Sequence, residues 1–293
     1  LTILFALTLG MASTPSMLAQ EASPAASGAG LADLGYPEFR IVVTDEGFEA
    51  PPEAAAGRTL IVLENRGTPN GPAQVTDINF LQLPEGVPVD ELNALLAGEE
   101  STIPDWYGDI VSTGGFKVAA GQTGYGVIDL QPGEWVVGAG DTNPFVPLLV
   151  SGEAPSSPSA AVEPHADVVV EFAKFSFELP EQLSSDNLVW HVTNGGEQQH
   201  EIMLVKTPEL LTVEQVVTLL TLPEGEAPPA GVPDPATLEF PPVGLQTMST
   251  GMEIWAEIRL EPGFYVALCS VLDPESGTPH AALGEIRVFT VDD

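Results

Sequence analysis

The chain predicts an all-β protein built as two β-sandwiches in tandem, each with one short inserted helix. Three observations carry that reading. Short runs rich in β-branched, aliphatic and aromatic residues recur along the chain and stop at Gly-, Pro- or Asn-containing turns, the pattern of many short strands. A Ser/Pro/Ala-rich stretch from Ser151 to Ser159 divides the chain near its middle. The two halves then align in three collinear blocks. Phe48 through Asn65 matches Phe177 through Asn194 without a gap, and Asp77 through Leu96 matches Glu201 through Leu220. Leu130 through Trp135 matches Leu260 through Tyr265. Each half is therefore one copy of the same unit.

Taken in order, residues 1–19 carry no charge and contain the apolar run Leu1 to Leu9. They read as part of a signal peptide, too short to span a membrane, so an exported protein without a membrane span is expected. Residues 20–35 form a flexible leader rich in small residues, and 36–151 the first domain. In it, Leu60-Ile61-Val62-Leu63 is a strand that stops at the Asn65-Arg66-Gly67 turn, and Asp90 to Leu96 is the short helix. Residues 152–165 are the linker and 166–293 the second domain. Leu188 to Val192 repeats the strand and ends in Asn194-Gly195-Gly196. The stretch from Gln199 to Val205 is the next strand. Thr212 then caps a helix, with Gln215 at the reciprocal capping-box position ahead of Val216-Val217 and Leu219-Leu220. Residues 224–242 are Pro- and acid-rich and read as a long surface loop. Met252 to Leu260 alternates with period two, as a half-buried strand should. Gly263 to Cys269 is a strand, followed by a loop containing Pro279-His280 and a last strand over 284–289.

Charge excludes one class of function. The chain holds 42 acidic against 8 basic residues, a formal net charge of -34. Such a surface repels nucleic acid and anionic membranes and favours a partner with a basic face. Acidity of this kind also serves solubility alone. Cys269 is the only cysteine, so an intrachain disulfide is impossible. A single thiol is either packed as a small apolar residue or used as a metal ligand.

The second alternative gains weight from its neighbours. Ten residues separate Cys269 from His280, four separate His280 from Glu285, and His200 opens a strand upstream. Two imidazoles and one thiolate from separate strands are what a trigonal copper site requires, since a soft thiolate selects copper. At these residues the sequence resembles the cupredoxins, the blue copper domains, in the order His, long gap, Cys, His and axial residue. The segment Phe175 to Pro180 and the strand from Gln199 to Ile202 share in that resemblance. It implies Greek-key sandwiches and one copper ion held by His200, Cys269 and His280, with Glu285 in the axial place where the family has Met. The family role would be electron transfer or copper holding, with an imidazole edge at the rim facing a redox partner.

The first unit has Thr76 in the place of His200 and Ala139 in the place of Cys269, and it contains no histidine. It reads as a degenerate copy without ligands. An enzyme is not expected: multicopper oxidases and copper nitrite reductases pair such domains but need more histidines than His165, His191, His200 and His280. No Gly-x-Ser-x-Gly or His-Glu-x-x-His motif offers another chemistry. The competing reading is a metal-free sandwich, a binding or adhesion module that has lost copper.

Overall fold

The computed structural model describes residues 30–98, 102–140, 143–153, 163–223 and 226–293. The expected signal peptide, leader residues 20–29 and linker residues 154–162 lie outside the described residues. In the first repeat the strands are β1 (Glu38–Thr44), β2 (Gly47–Glu49), β3 (Glu53–Ala55), β4 (Gly57–Asn65) and β5 (Val75–Gln82). After helix α1 (Val89–Leu96) come β6 (Val111–Ser112), β7 (Lys117–Ala119), β8 (Thr123–Leu130), β9 (Gly133–Ala139) and β10 (Val146–Ser151). The second repeat has β11 (Val168–Phe172), β12 (Gln182–Ser184), β13 (Asn187–Asn194) and β14 (His200–Thr207). Helix α2 (Val213–Leu220) precedes β15 (Gly244–Met248), β16 (Glu253–Arg259), β17 (Gly263–Leu268) and β18 (Ile286–Asp292).

Both repeats lay their strands in one order. β1–β4–β8 in the first answers to β11–β13–β16 in the second, each a parallel pair followed by an antiparallel pair. In the facing sheets, β3–β10–β9–β5 answers to β12–β18–β17–β14 with the same senses. β6 and β7 together take the place of β15. Alternation along β1 and β11 turns Phe39, Ile41 and Val43, or Val168, Val170 and Phe172, into the core.

Matching residues do matching work. Asn65 donates to the carbonyls of Ala73 and Val118 and accepts from the Gly67 amide. Asn194 donates to the carbonyls of Gln198 and Met248 and accepts from the Gly196 amide. Trp135 Nε1 donates to the Gln131 carbonyl, and Tyr265 OH to the Glu261 carbonyl. The α2 capping box forms between Thr212 and Gln215 as the sequence predicts.

The seam between repeats is where the structure adds most. β8 and β16 pair antiparallel, Ile128 with Ile254, Val127 with Trp255 and Gly126 with Ala256, joining two sheets into one of seven strands. Gly126 and Ala256 are the same position of the two copies, so a local two-fold axis passes through that pair. A second contact obeys the same axis: Gln246 donates to the Gly115 carbonyl, and Phe116 bridges Leu245. A Cβ on Gly126 would lie 2.6 Å from the Phe116 ring, so the close approach needs glycine. Arg58 spans the seam, over the Trp255 ring and 3.5 Å from Glu253.

The leader is shorter than expected. Leu31–Leu34, placed by sequence in the leader 20–35, form a 3-10 turn with Leu31 buried against Leu60, Val127 and Trp255. The Leu31 amide donates to Glu257 at 2.7 Å. Small-residue composition hid one apolar residue with a pocket to fill. Within the expected loop over 224–242, Pro235–Thr237 form a 3-10 turn, and Glu239 pairs with Lys206 of β14.

Candidate metal centre

The four residues singled out in the sequence converge. His200 starts β14, Cys269 follows β17, His280 opens a 3-10 turn (His280–Leu283), and Glu285 precedes β18. One donor atom from each lies within 4.8 Å of the others, and all four side chains are buried. His200 Nδ1 stands 2.9 Å from the Glu285 carboxylate and 3.2 Å from His280 Nδ1. His280 Nδ1 stands 3.2 Å from the same carboxylate and 3.5 Å from Cys269 Sγ.

The backbone closes this cluster from below. The amide of Ala281 donates to the Cys269 carbonyl, that of Glu285 to the His280 carbonyl, and that of Cys269 to the Glu285 carbonyl. The chain reverses between the 3-10 turn and β18 at Gly284, whose φ of 118° favours glycine. On the other side, Phe172 stacks on the His200 ring with centroids 5.1 Å apart. A side chain at Gly196 would come within 3.0 Å of His200 Nε2.

Electrostatics favour a cation here. Burial, and then the neighbouring Glu285 charge, push the Cys269 thiol up, so the thiolate forms only if a positive ion compensates it. Burial likewise lowers His280, keeping its imidazole neutral and its lone pair available. Both Glu285 oxygens lie against imidazole nitrogens, and His200 Nε2 is buried without a hydrogen-bond partner. A buried carboxylate between two imidazoles and beside a thiol fits a metal ion.

The second ring nitrogen of His280 shows how the ligand is oriented. Nε2 lies 2.7 Å from Gln198 Oε1, a bond that requires the proton on Nε2 and leaves Nδ1 to face the cluster. Gln198 in turn donates to Asp273 at 2.9 Å. The Ser276 hydroxyl and the Gln198 amide hold the Asp273 carboxyl down at about 2, so it stays an acceptor. Sequence reasoning missed this relay. Gln198 sits two residues before His200, yet an amide there has no spacing signal that links it to His280.

Phe175 was also missed as a site residue. It has the left-handed φ of 56°, uncommon for a non-glycine residue, and sets its ring edge against His280 at 5.0 Å. Together Phe175 and Gln198 cover His280, which is 0% exposed. The expected imidazole edge at the rim is therefore corrected: the loop folds His280 inward. The other two histidines lie elsewhere. His165 is exposed, and His191 stacks on Trp255 at 4.0 Å and bonds Glu253.

In the first repeat no such cluster of donors forms among the described residues. Thr76 and Ala139 stand as aligned, and the strand ladders put Pro144 where the second repeat has Glu285. The loop carrying His280, residues 270–284, shrinks to residues 140–143.

The sequence matches no family model and no curated protein. Among solved structures, the chain is similar to a dithionite-reduced auracyanin from the photosynthetic bacterium Roseiflexus castenholzii. That alignment has 20% identity over 42% of this chain and 94% of that one, with a TM-score of 0.26. A multicopper oxidase aligns at 14% identity over 87% of this chain and 88% of that one, TM-score 0.24. A copper nitrite reductase from Nitrosomonas europaea aligns at 10% identity over 87% and 92%, TM-score 0.22. At such scores these likenesses carry no further argument. The tandem-sandwich architecture rests on the repeated strand order, and the candidate site on a donor cluster at one end of the second sandwich.

Proposed function

We propose that the second repeat binds one copper ion through His200, Cys269, His280 and Glu285, in an exported, non-enzymatic protein that holds copper. The observation that carries this reading is the convergence of four buried donors, with both imidazoles against one buried carboxylate. Bound there, copper would supply a one-electron couple coloured by its thiolate ligand. The protein's own groups do the rest. Gln198 keeps the His280 proton on Nε2, Cys269 gives up its proton on loading, and Phe172 and Phe175 exclude water. Glu285 adds a hard anionic donor, which favours the oxidised ion and lowers the reduction potential relative to a thioether.

Holding is favoured over rapid electron transfer by one observation. Both imidazoles are buried, so no ligand edge meets a partner directly. A redox partner with a basic face would have to reach the site through Gln198 or Phe175. Adding one equivalent of Cu(II) to the full chain and recording the visible spectrum tests the reading. An intense thiolate-to-copper band, with copper retained through desalting, is expected. A colourless protein that releases copper would favour the metal-free binding module instead.

A further inference from the structure

The two repeats differ most, outside the donor cluster, on the outer face of β5 and β9. In the second repeat the cross-strand pair Met203–Leu268 belongs to an apolar cluster with Val205 and with Val216 of α2. The strand ladder puts Asn79–Gly138 in the same place of the first repeat. Leu92 of α1 still faces that strand pair, as Val216 does in its copy. An amide and a hydrogen stand there in place of a thioether and an isobutyl group, and beside them lies a cavity of about 480 Å³. Gly138 has a positive use as well: a Cβ there would lie 2.7 Å from the Phe145 ring, so glycine lets that ring pack on the strand.

The cavity wall has a consistent chemistry. Its polar groups are almost all amides and hydroxyls, and Asp77 is its one charged residue among those described. That carboxylate accepts a hydrogen bond from the Gly140 amide. Asn93 is committed to both backbone groups of Phe145, whereas the side-chain amides of Asn79 and Gln246 bond nothing among the described residues. Gln246 comes from the second repeat, so the cavity is completed across the seam. Tyr107 and Phe145 add aromatic surface. Spare neutral donors and acceptors beside aromatic rings suit a ring that carries hydroxyls around its edge and C–H groups on its faces. The net charge of -34 disfavours an anion.

We propose that this cavity beside α1 binds a small uncharged polyhydroxylated molecule of monosaccharide size, making the ligand-free repeat a recognition domain. The proposal does not depend on copper. Amide chemical shifts and saturation-transfer NMR of the metal-free full chain would be followed during titration with glucose and with N-acetylglucosamine. Glucosamine and glucuronate, which share the ring but carry opposite charges, serve as comparisons. Saturable shifts of the Gly138 and Gly140 amides by at least one neutral sugar are expected, with glucuronate at least tenfold weaker than that sugar and than glucosamine. Asn79→Met, which copies the second repeat, should weaken binding at least tenfold without lowering the unfolding temperature. Gln246→Leu tests the opposite wall should the first variant fold poorly. The proposal is overturned if neither neutral sugar gives a saturable shift, if glucuronate binds more tightly, or if binding survives both substitutions.

Discussion

The first and second repeats share strand order, the bridging asparagines and the aromatic hydrogen bond after the Pro-Gly turn, yet among the described residues only the second gathers candidate metal donors. The shared features are those the sandwich needs to close. Asn65 and Asn194 each tie three backbone groups that would otherwise be buried without partners. The features that differ lie at one end of the sheet, where the sequence has a His-bearing segment over 270–284 against only four residues, 140–143. The shared scaffold is independent of the candidate donors, because the side-chain hydrogen bonds common to both repeats do not pass through them.

The largest test of this contrast is Cys269→Ser. It should abolish any thiolate-to-copper band while far-ultraviolet circular dichroism stays unchanged; a band that persisted would remove Cys269 from the ligand set. Next come the paired asparagines. Asn65→Ala and Asn194→Ala should each cost about 2–3 kcal/mol in denaturant unfolding, since each strands buried backbone groups. Only Asn194→Ala should also weaken metal binding, because Asn194 holds the Gln198 carbonyl beside His200. Equal effects on metal affinity would show that the asparagines do not differ in this way.

Gln198→Leu should lower metal affinity about 10–100-fold with little change in unfolding free energy, by releasing the His280 tautomer. Competition against a chelator of known affinity reads this directly, and an unchanged affinity would reduce Gln198 to a cover. Glu285→Met should raise the reduction potential of the loaded protein and shift its spectrum towards blue. Unchanged potential and spectrum would take Glu285 out of the coordination sphere. The smallest effect belongs to Tyr265→Phe, which removes one hydrogen bond and should cost about 1 kcal/mol. A loss several times larger would mean that the ring itself repacks.

Legibility followed the range of the interaction. The α2 cap was readable because Thr212 and Gln215 are three residues apart and bond each other. Cys269, His200 and His280 were readable because cysteine and histidine are rare in this chain and occur in a meaningful order, whereas Glu285, one of many glutamates, was readable only from its place after His280. Gln198, Phe175 and Leu31 were not, since an amide, a phenyl ring and a leucine are common, and their roles depend on partners far away in sequence.

By itself, then, the sequence determined the duplication, the all-β class and the four candidate donors of the second copy, with Thr76 and Ala139 in place of two of them in the first. These follow from local pattern and from comparing the chain with itself. Only the tertiary structure decided that the copies share one sheet. Each sandwich alone would expose β8 or β16 as an unpaired edge, and pairing these equivalent strands removes both edges at once. It also decided that His280 turns inward and that a cavity opens where Asn79 faces Gly138. Both outcomes depend on which surfaces meet after the strands have formed, and that geometry has no counterpart in residue spacing.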